Sequence, residues 1–441
     1  MRSRFFSLFD YFLFFAVLSL LIIGILFIYS SAIDANGELP SLPWYKQEYI
    51  KQIIYGVTGI ILVFALALFD YRKTKKFCLW FYIALVVVLL LTRLFGTESN
   101  NAKSWINFGL FTIQPAEFCK ILYIFFLAWF LEKTEKMNEL KRFVIALCSL
   151  FLPVGLILIQ PDMGTASVFI PIFLIMCFFA GVPLKYIFLC LGTGVLTILI
   201  TILPVWESMI LKKDITILNV LTDLKLRLIL ISTFGFIAIL CLVGYLLFKK
   251  KYYYWIAYVT GIISVSLAAS ILLGKLMKDY QIMRLIIFIN PDVDPLKSGW
   301  NIIQAKIAIG SGNIFGRGFL QGSQSHLDYL PEQSTDFIFC ILAEEWGFLG
   351  GLFVFACYFI IFWRSFVCIR RTKDIFGSYI ACGIASMFAY HFFINVGMVM
   401  GIMPITGIPL LFLSYGGSSL WMSMMAIGIL QSINLRRLEI H

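Results

Sequence analysis

Charged residues are scarce in the apolar stretches of this sequence, and their spacing shows where chemistry could begin. In QPAEFCK, Glu117 and Lys120 stand three residues apart at the start of an apolar run. On a helix that spacing puts both on one face, where they can pair. An ionisable group within an apolar span is costly enough to mark a functional candidate, although an ion pair that only orients the helix has the same spacing. Asp336 is the single carboxylate in 333–343, where a polar stretch runs into the next apolar one. It suits a general base. With Ser334 and Thr335, after Pro331, it also suits an N-cap, and a helix terminus would hold it ionised in either role. Asp162 falls in QPDMGT, a tight turn between apolar runs. Glu344 and Glu345 follow Asp336 by about two turns, and adjacent helix positions diverge, so at most one is expected to face a given cavity.

The cations are as few. Lys103, Lys306 and Arg317 lie in polar connections, where they can meet phosphates or lipid headgroups alike. The glycines of IGSGNIFGRG (309–318) lack the G-K-[ST] ending and the strand–helix setting of a nucleotide loop. SYGGSS (414–419) offers hydroxyls, including Ser414 and Ser418, among small residues that also suit close helix packing. The ten cysteines form no C-x-x-C pair, and His326, His391 and His441 are too widely spaced for a zinc cluster. No resident metal site is expected.

The elements that must position these residues belong to a membrane protein. A chain of 441 residues that is 61% hydrophobic and 13% charged does not have a soluble composition. Apolar windows predict about twelve transmembrane helices, near 11–30, 49–69, 77–95, 116–131, 143–159, 164–180, 186–204, 227–248, 254–274, 337–363, 377–399 and 408–433. The first is read as an uncleaved helix, because its apolar run exceeds a signal peptide's core. The net charge of +11 comes from short basic clusters between spans, which fit the orientation rule rather than nucleic acid. With the N-terminus cytoplasmic, twenty Lys and Arg fall inside and fourteen outside, Lys120 being within a span. Both termini are then cytoplasmic, and the long connection 275–337 lies outside as an active-site cap. The expected fold is an all-α polytopic bundle forming one integral domain. Its core is 1–204 and 337–441, with a helix pair at 205–274 and the outer loop 275–337.

Several blocks then carry a family resemblance: QPAEFCK, QPDMGT, WNIIQAKIAIGSG (300–312), QSHLDYLPEQSTDFIF (324–339), AEEWG (343–347) and PITGIPLLFLSYGGSS (404–419). In collinear order over most of the chain, they resemble the SEDS proteins of shape, elongation, division and sporulation. The wording of 395–409 and of QSHLDYLPE is closer to the elongation member than to the division member. The resemblance implies a peptidoglycan glycosyltransferase in the bacterial cytoplasmic membrane, an inverting hexosyltransferase that polymerises lipid II on the outer face during elongation. By the same resemblance Asp336 matches the essential aspartate, and Glu117 and Lys120 match the paired charges lining a central cavity. Asp162 and Lys306 match residues of the QPD and large-loop blocks. The family commonly has ten helices, so 227–248 and 254–274 read as an inserted pair that preserves the topology.

The implied chemistry is deprotonation of an acceptor hydroxyl by Asp336. Lys120, Lys306, Lys103 and Arg317 would stand near a lipid pyrophosphate leaving group, with a divalent cation such as Mg or Mn admissible. Ser414, Ser418 and Asp162 complete the expected substrate contacts. The implied partners are lipid II, a class B penicillin-binding transpeptidase, elongation-complex membrane proteins and membrane lipids, with no nucleic acid. Two departures stand out: Ser104-Trp105 where members often have Arg-Trp, and Leu411 where many have proline. The alternatives are a transporter of lipid-linked precursors, a division or sporulation polymerase, and a non-catalytic scaffold for a transpeptidase.

Overall fold

The structure is a computed structural model that describes residues 8–34, 38–39, 41, 43–99, 102–107, 109, 111–207, 219–277, 279–290, 298–323, 329 and 332–437. His326, His441, Arg2, Arg4 and most of the 324–331 block lie outside the described residues. The chain is nearly all helical. The long helices are α1 (Tyr11–Ser31), α2 (Glu48–Leu68), α3 (Cys78–Phe95), α4 (Pro115–Lys133), α5 (Glu139–Ile159), α6 (Met163–Phe179), α7 (Leu184–Trp206), α8 (Leu224–Phe248) and α9 (Lys251–Leu276). Two shorter ones follow, α10 (Asp279–Ile289) and α11 (Ser298–Ser311), and then α12 (Ile338–Arg371), α13 (Ile375–Val399) and α14 (Gly417–Leu435). Each expected span has its helix. Among the described residues nine are long and apolar enough to cross a membrane by that measure alone. Helices α4, α6 and α14 stand at the other three expected spans and do not meet that measure.

The helix starts follow local chemistry. Asp10, Asn138, Asp162, Asp223 and Asp374 each accept a backbone N–H of the first turn of α1, α5, α6, α8 and α13. Pro115 opens α4, where its missing N–H is no loss.

The structure adds elements to the expected ones at two places and departs from them at two. Helices α10 and α11 occupy part of the connection 275–337. The polar stretch 96–115 pairs into a small sheet of β1 (Thr97–Ser99), β2 (Ala102–Asn107) and β3 (Thr112–Ile113), in antiparallel order β1-β2-β3. The last helix begins at Gly417 rather than 408, because Pro409 and a left-handed Phe412 (φ 71°) hold 404–416 in turns. Ser414 is therefore not on a helix. Finally, the N-cap of α12 is Phe337, without a side-chain cap, so Asp336 stands one residue before the cap position.

Contacts divide the chain into two compact units, Met1–Gly181 with Leu296–His441, and Val182–Pro295. In the first, α14 packs on α2, α12 lies against α1 and α13, and α13 also packs on α4 and α6. Its interior includes Tyr123, Phe169, Phe388 and Lys120, all fully buried. At one end Arg364 pairs with Asp10 at 2.6 Å, and Gln431 exchanges hydrogen bonds with the Asp10 backbone. In the second unit α8 packs on α9, and α9 and α10 pack on α7. Gly244 is the one buried residue of α8, and most of its apolar side chains off the α9 contact are exposed. A helix apolar on all its exposed sides is a membrane helix.

Candidate active site

Glu117 and Lys120 meet in the first turns of α4 as their spacing requires, with Lys120 Nζ 2.6 Å from Glu117 Oε1 and both side chains buried. Sequence spacing did not reveal the third member. His391 of α13 is 1% exposed, and its Nε2 is 3.1 Å from Lys120 Nζ. Its Nδ1 is 3.1 Å from the carbonyl of Pro409. A carbonyl only accepts, so Nδ1 carries the proton and Nε2 receives a hydrogen bond from the ammonium. The lysine charge is thus shared between a carboxylate and a neutral imidazole. The second carboxylate oxygen, Glu117 Oε2, is buried with no hydrogen-bond partner, an acceptor of the kind that points to function.

Asp336 is half-buried in the turns that lead into α12. Three hydrogen bonds fix the backbone around it. Its N–H donates to Glu332 O at 3.1 Å, Tyr415 N–H donates to Ser334 O at 2.8 Å, and Asn395 Nδ2 donates to Asp336 O at 3.0 Å. The same Asn395 amide nitrogen donates to Ile408 O at 2.8 Å. Burial pushes the Tyr415 phenol well above its usual range, with Tyr55 and Glu48 adding to the shift, so it stays a neutral donor. The turn 404–416 therefore touches both functional groups: its carbonyl at 409 meets His391, and its amide at 415 holds the Asp336 turn.

A second cluster joins the QP motifs. Gln114 Nε2 donates to Asp162 Oδ2 at 2.6 Å, and Asp162 Oδ1 accepts the Thr165 N–H that caps α6. The Gln114 backbone N–H donates to Ser418 Oγ at 2.9 Å. Ser414 Oγ accepts from Leu410 N–H at 2.9 Å, and its carbonyl accepts from Gln52. Asp162, Ser414 and Ser418 all hold neighbouring backbone, and the two serines are buried. Leu411, the proline departure, accepts a hydrogen bond from the Tyr358 hydroxyl through its carbonyl.

The glycine-rich segment has a purpose that its composition does not announce. Gly347 (φ 64°, ψ −159°) breaks α12. Two rungs of the helical ladder open there and are filled by another part of the chain. Arg317 N–H donates to Glu344 O and Gly318 N–H to Glu345 O, both at 3.0 Å. In return Phe348 N–H donates to Asn313 O at 2.9 Å and Leu349 N–H to Ile314 O at 3.1 Å. The approach leaves no room for side chains. A Cβ on Gly312 would lie 1.9 Å from Ala343 O, and one on Gly316 would lie 2.0 Å from Glu345 O. The side chains reinforce the join: Glu344 Oε1 accepts from Ser323 N–H at 2.7 Å, and Glu345 Oε2 accepts from Leu320 N–H at 3.1 Å. Glu345 also accepts from the Ser30 hydroxyl of α1. The two carboxylates thus reach different partners, Glu344 at Ser323 and Glu345 at Leu320 and Ser30, while both hold the 320–323 segment.

The remaining cations are dispersed. Arg317 is exposed and donates to Ser323 Oγ at 2.6 Å. Lys306 on α11 lies against Gly401, just past the end of α13; a Cβ there would be 2.7 Å from its Nζ. A cation is favoured at such a helix C-terminus. Lys103 sits on β2 opposite Glu98, beside the buried Ser104. Among the described residues no three His, Cys, Asp or Glu side chains gather as metal ligands. His391, Asn395, Gln114 and Gln52 are the site residues that spacing alone missed. For His391, Asn395 and Gln52 the signal was only that a polar side chain in an apolar helix must find a partner, not which one.

Comparison with known proteins agrees with this architecture. The family model FTSW_RODA_SPOVE, described as "Cell cycle protein", matches residues 11–225 and 200–438. Over 438 residues the chain is 50% identical to peptidoglycan glycosyltransferase RodA of Treponema pallidum, covering 99% of this chain and 100% of that one. It is 33% identical to stage V sporulation protein E of Bacillus subtilis, covering 95% and 94%. It is 31% identical to peptidoglycan glycosyltransferase MrdB of Escherichia coli K12, covering 95% and 93%. The fold is shared with a chain of a peptidoglycan synthase complex solved for its coordination of polymerization and crosslinking (TM-score 0.67, 21% identity, 98% and 99% covered). It is also shared with the rod shape determining protein RodA of Thermus thermophilus (TM-score 0.60, 21% identity, 98% of each chain). From its motifs, its helical bundle and these matches along its length, the chain is a multi-pass membrane protein that belongs to the FtsW/RodA/SpoVE family, the SEDS family of the resemblance.

Proposed function

We propose that this protein is a peptidoglycan glycosyltransferase that polymerises lipid II at the outer face of the bacterial cytoplasmic membrane during cell elongation, with both termini cytoplasmic. The observation that carries the reading is the seat of Asp336. It is a half-buried carboxylate on a turn fixed by Asn395 and Tyr415, next to the loop that His391 ties to the Glu117–Lys120 pair. In this reading Asp336 takes the proton from the acceptor sugar's 4-hydroxyl as that oxygen attacks the donor's anomeric carbon. The new C–O bond forms on the face opposite the bond to pyrophosphate. That bond breaks with its electron pair, and the configuration inverts. Negative charge develops on a lipid pyrophosphate, for which Lys306, Lys103 and Arg317 are the outlying cations. Lys120 is already neutralised by Glu117, so its part is to organise the interior. Glu117 Oε2 remains able to accept a hydroxyl or amide of the substrate.

The 50% identity to peptidoglycan glycosyltransferase RodA favours that role over the sporulation type, since identity to stage V sporulation protein E is 33%. A class B penicillin-binding transpeptidase is the partner this reading calls for. The experiment is lipid II polymerisation by the purified chain in detergent, with and without that partner. Wild type is expected to form glycan strands and Asp336→Asn none, with unchanged monodispersity. A transporter makes no polymer without compartments, and full activity in Asp336→Asn removes the base assignment.

A further inference from the structure

His391 and Asn395 lie one turn apart on α13, on the same face, and are 1% and 0% exposed. Each reaches a carbonyl of the 404–416 turn, His391 to Pro409 and Asn395 to Ile408, and each also holds a functional element. His391 receives the Lys120 ammonium, and Asn395 grips the carbonyl of Asp336. The orientation of the Asn395 amide is fixed by chemistry, because both neighbours are carbonyls and only the nitrogen can face them. Its oxygen is left buried without a partner. Half of the hydrogen-bonding capacity of Asn395 thus goes unused in a buried position, which is costly for a polar atom. A role in solubility or general packing does not account for that.

We infer that His391 and Asn395 are positioning residues that strap Asp336 to the Glu117–Lys120 pair through the 408–409 backbone. The inference rests on Asp336 being the base. Asn395 sets where the carboxylate-bearing turn stands. His391 sets where the 409 carbonyl stands and keeps the lysine turned toward Glu117. Displacement of a base by about an ångström is enough to lower a rate by about a hundredfold. The strap therefore acts on turnover and leaves substrate affinity nearly alone.

The test uses the full-length purified protein, lipid II polymerisation kinetics and hydrogen–deuterium exchange of the amides in 332–337. Asn395→Ala is expected to lower kcat by about ten- to a hundredfold with KM within about twofold, and to speed exchange at 332–337. His391→Leu is expected to lower kcat by about tenfold, and His391→Gln, which keeps a donor and an acceptor, to return it to within about threefold of wild type. Wild-type turnover in Asn395→Ala overturns the inference. So does lost turnover with unchanged exchange at 332–337, or loss in His391→Leu that His391→Gln shares in proportion to lowered thermal stability. If the wild-type chain makes no polymer, the proposed function fails. The exchange measurement still decides the strap: faster exchange in Asn395→Ala supports it and unchanged exchange overturns it.

Discussion

At the scale of single residues, the interior of the first unit holds a buried ammonium, Lys120, between two groups, Glu117 and His391. Removing one member of a buried ion pair strands the other and costs about 3–5 kcal/mol, while replacing both with apolar groups of similar shape is often near neutral. Glu117→Met and Lys120→Met should therefore each lower the thermal midpoint markedly, and the double variant should regain most of the loss. Polymerisation should stay low in all three if the pair organises the site. A double-mutant cycle on thermal stability, read beside activity, separates these effects. The pair and Asp336 were visible in the sequence because charge in an apolar run is rare. Asn395 and His391 were not, because a polar residue on a helix declares a partner without naming it. Here the partners are backbone carbonyls more than ten residues away, which side-chain spacing does not encode.

At the scale of elements, the long helices were legible, most of their ends to within a few residues, but the start of the last helix, the far end of α12 and the connections were not. Long apolar windows have one stable solution in lipid, since every backbone group must be bonded within the segment. Glycine-rich and proline-rich connections have many solutions, and tertiary contact chooses among them. The glycines of 309–318, which lack the pattern of a nucleotide loop, let two backbones meet at the Gly347 break. Gly316→Ala places a Cβ against Glu345 O at a left-handed position (φ 81°). It should cost roughly 2–5 kcal/mol from strain and overpacking. Gly310→Ala, with nothing within 4 Å of its Cβ and a helical position on α11, should be neutral or stabilising by about 0.5–1 kcal/mol. Thermal unfolding of the two variants in one detergent makes the comparison. Equal loss in both would mean that the close approach at Gly316 does not matter.

At the scale of the whole molecule, orientation in the membrane is an argument from charge, with twenty Lys and Arg placed inside against fourteen outside. The ten cysteines all lie on the long helices, so introduced thiols can report sidedness against a low background. Asn313→Cys, at an exposed position, should label with a membrane-impermeant maleimide on intact cells. Lys250→Cys, also exposed, should label only after the membrane is opened. The reverse pattern would invert the topology and place Asp336 on the cytoplasmic side. The join at Gly347 also bears on the order in which this protein can be made. Residues 313–318 leave the ribosome before 344–349, so the segment that fills the open rungs of α12 is already synthesised when the helix needing it appears. The helix cannot satisfy its own backbone in lipid. Its insertion is therefore tied to the prior arrival of an upstream stretch, and a chain lacking 313–318 would present the membrane with four unbonded peptide groups rather than a shorter loop.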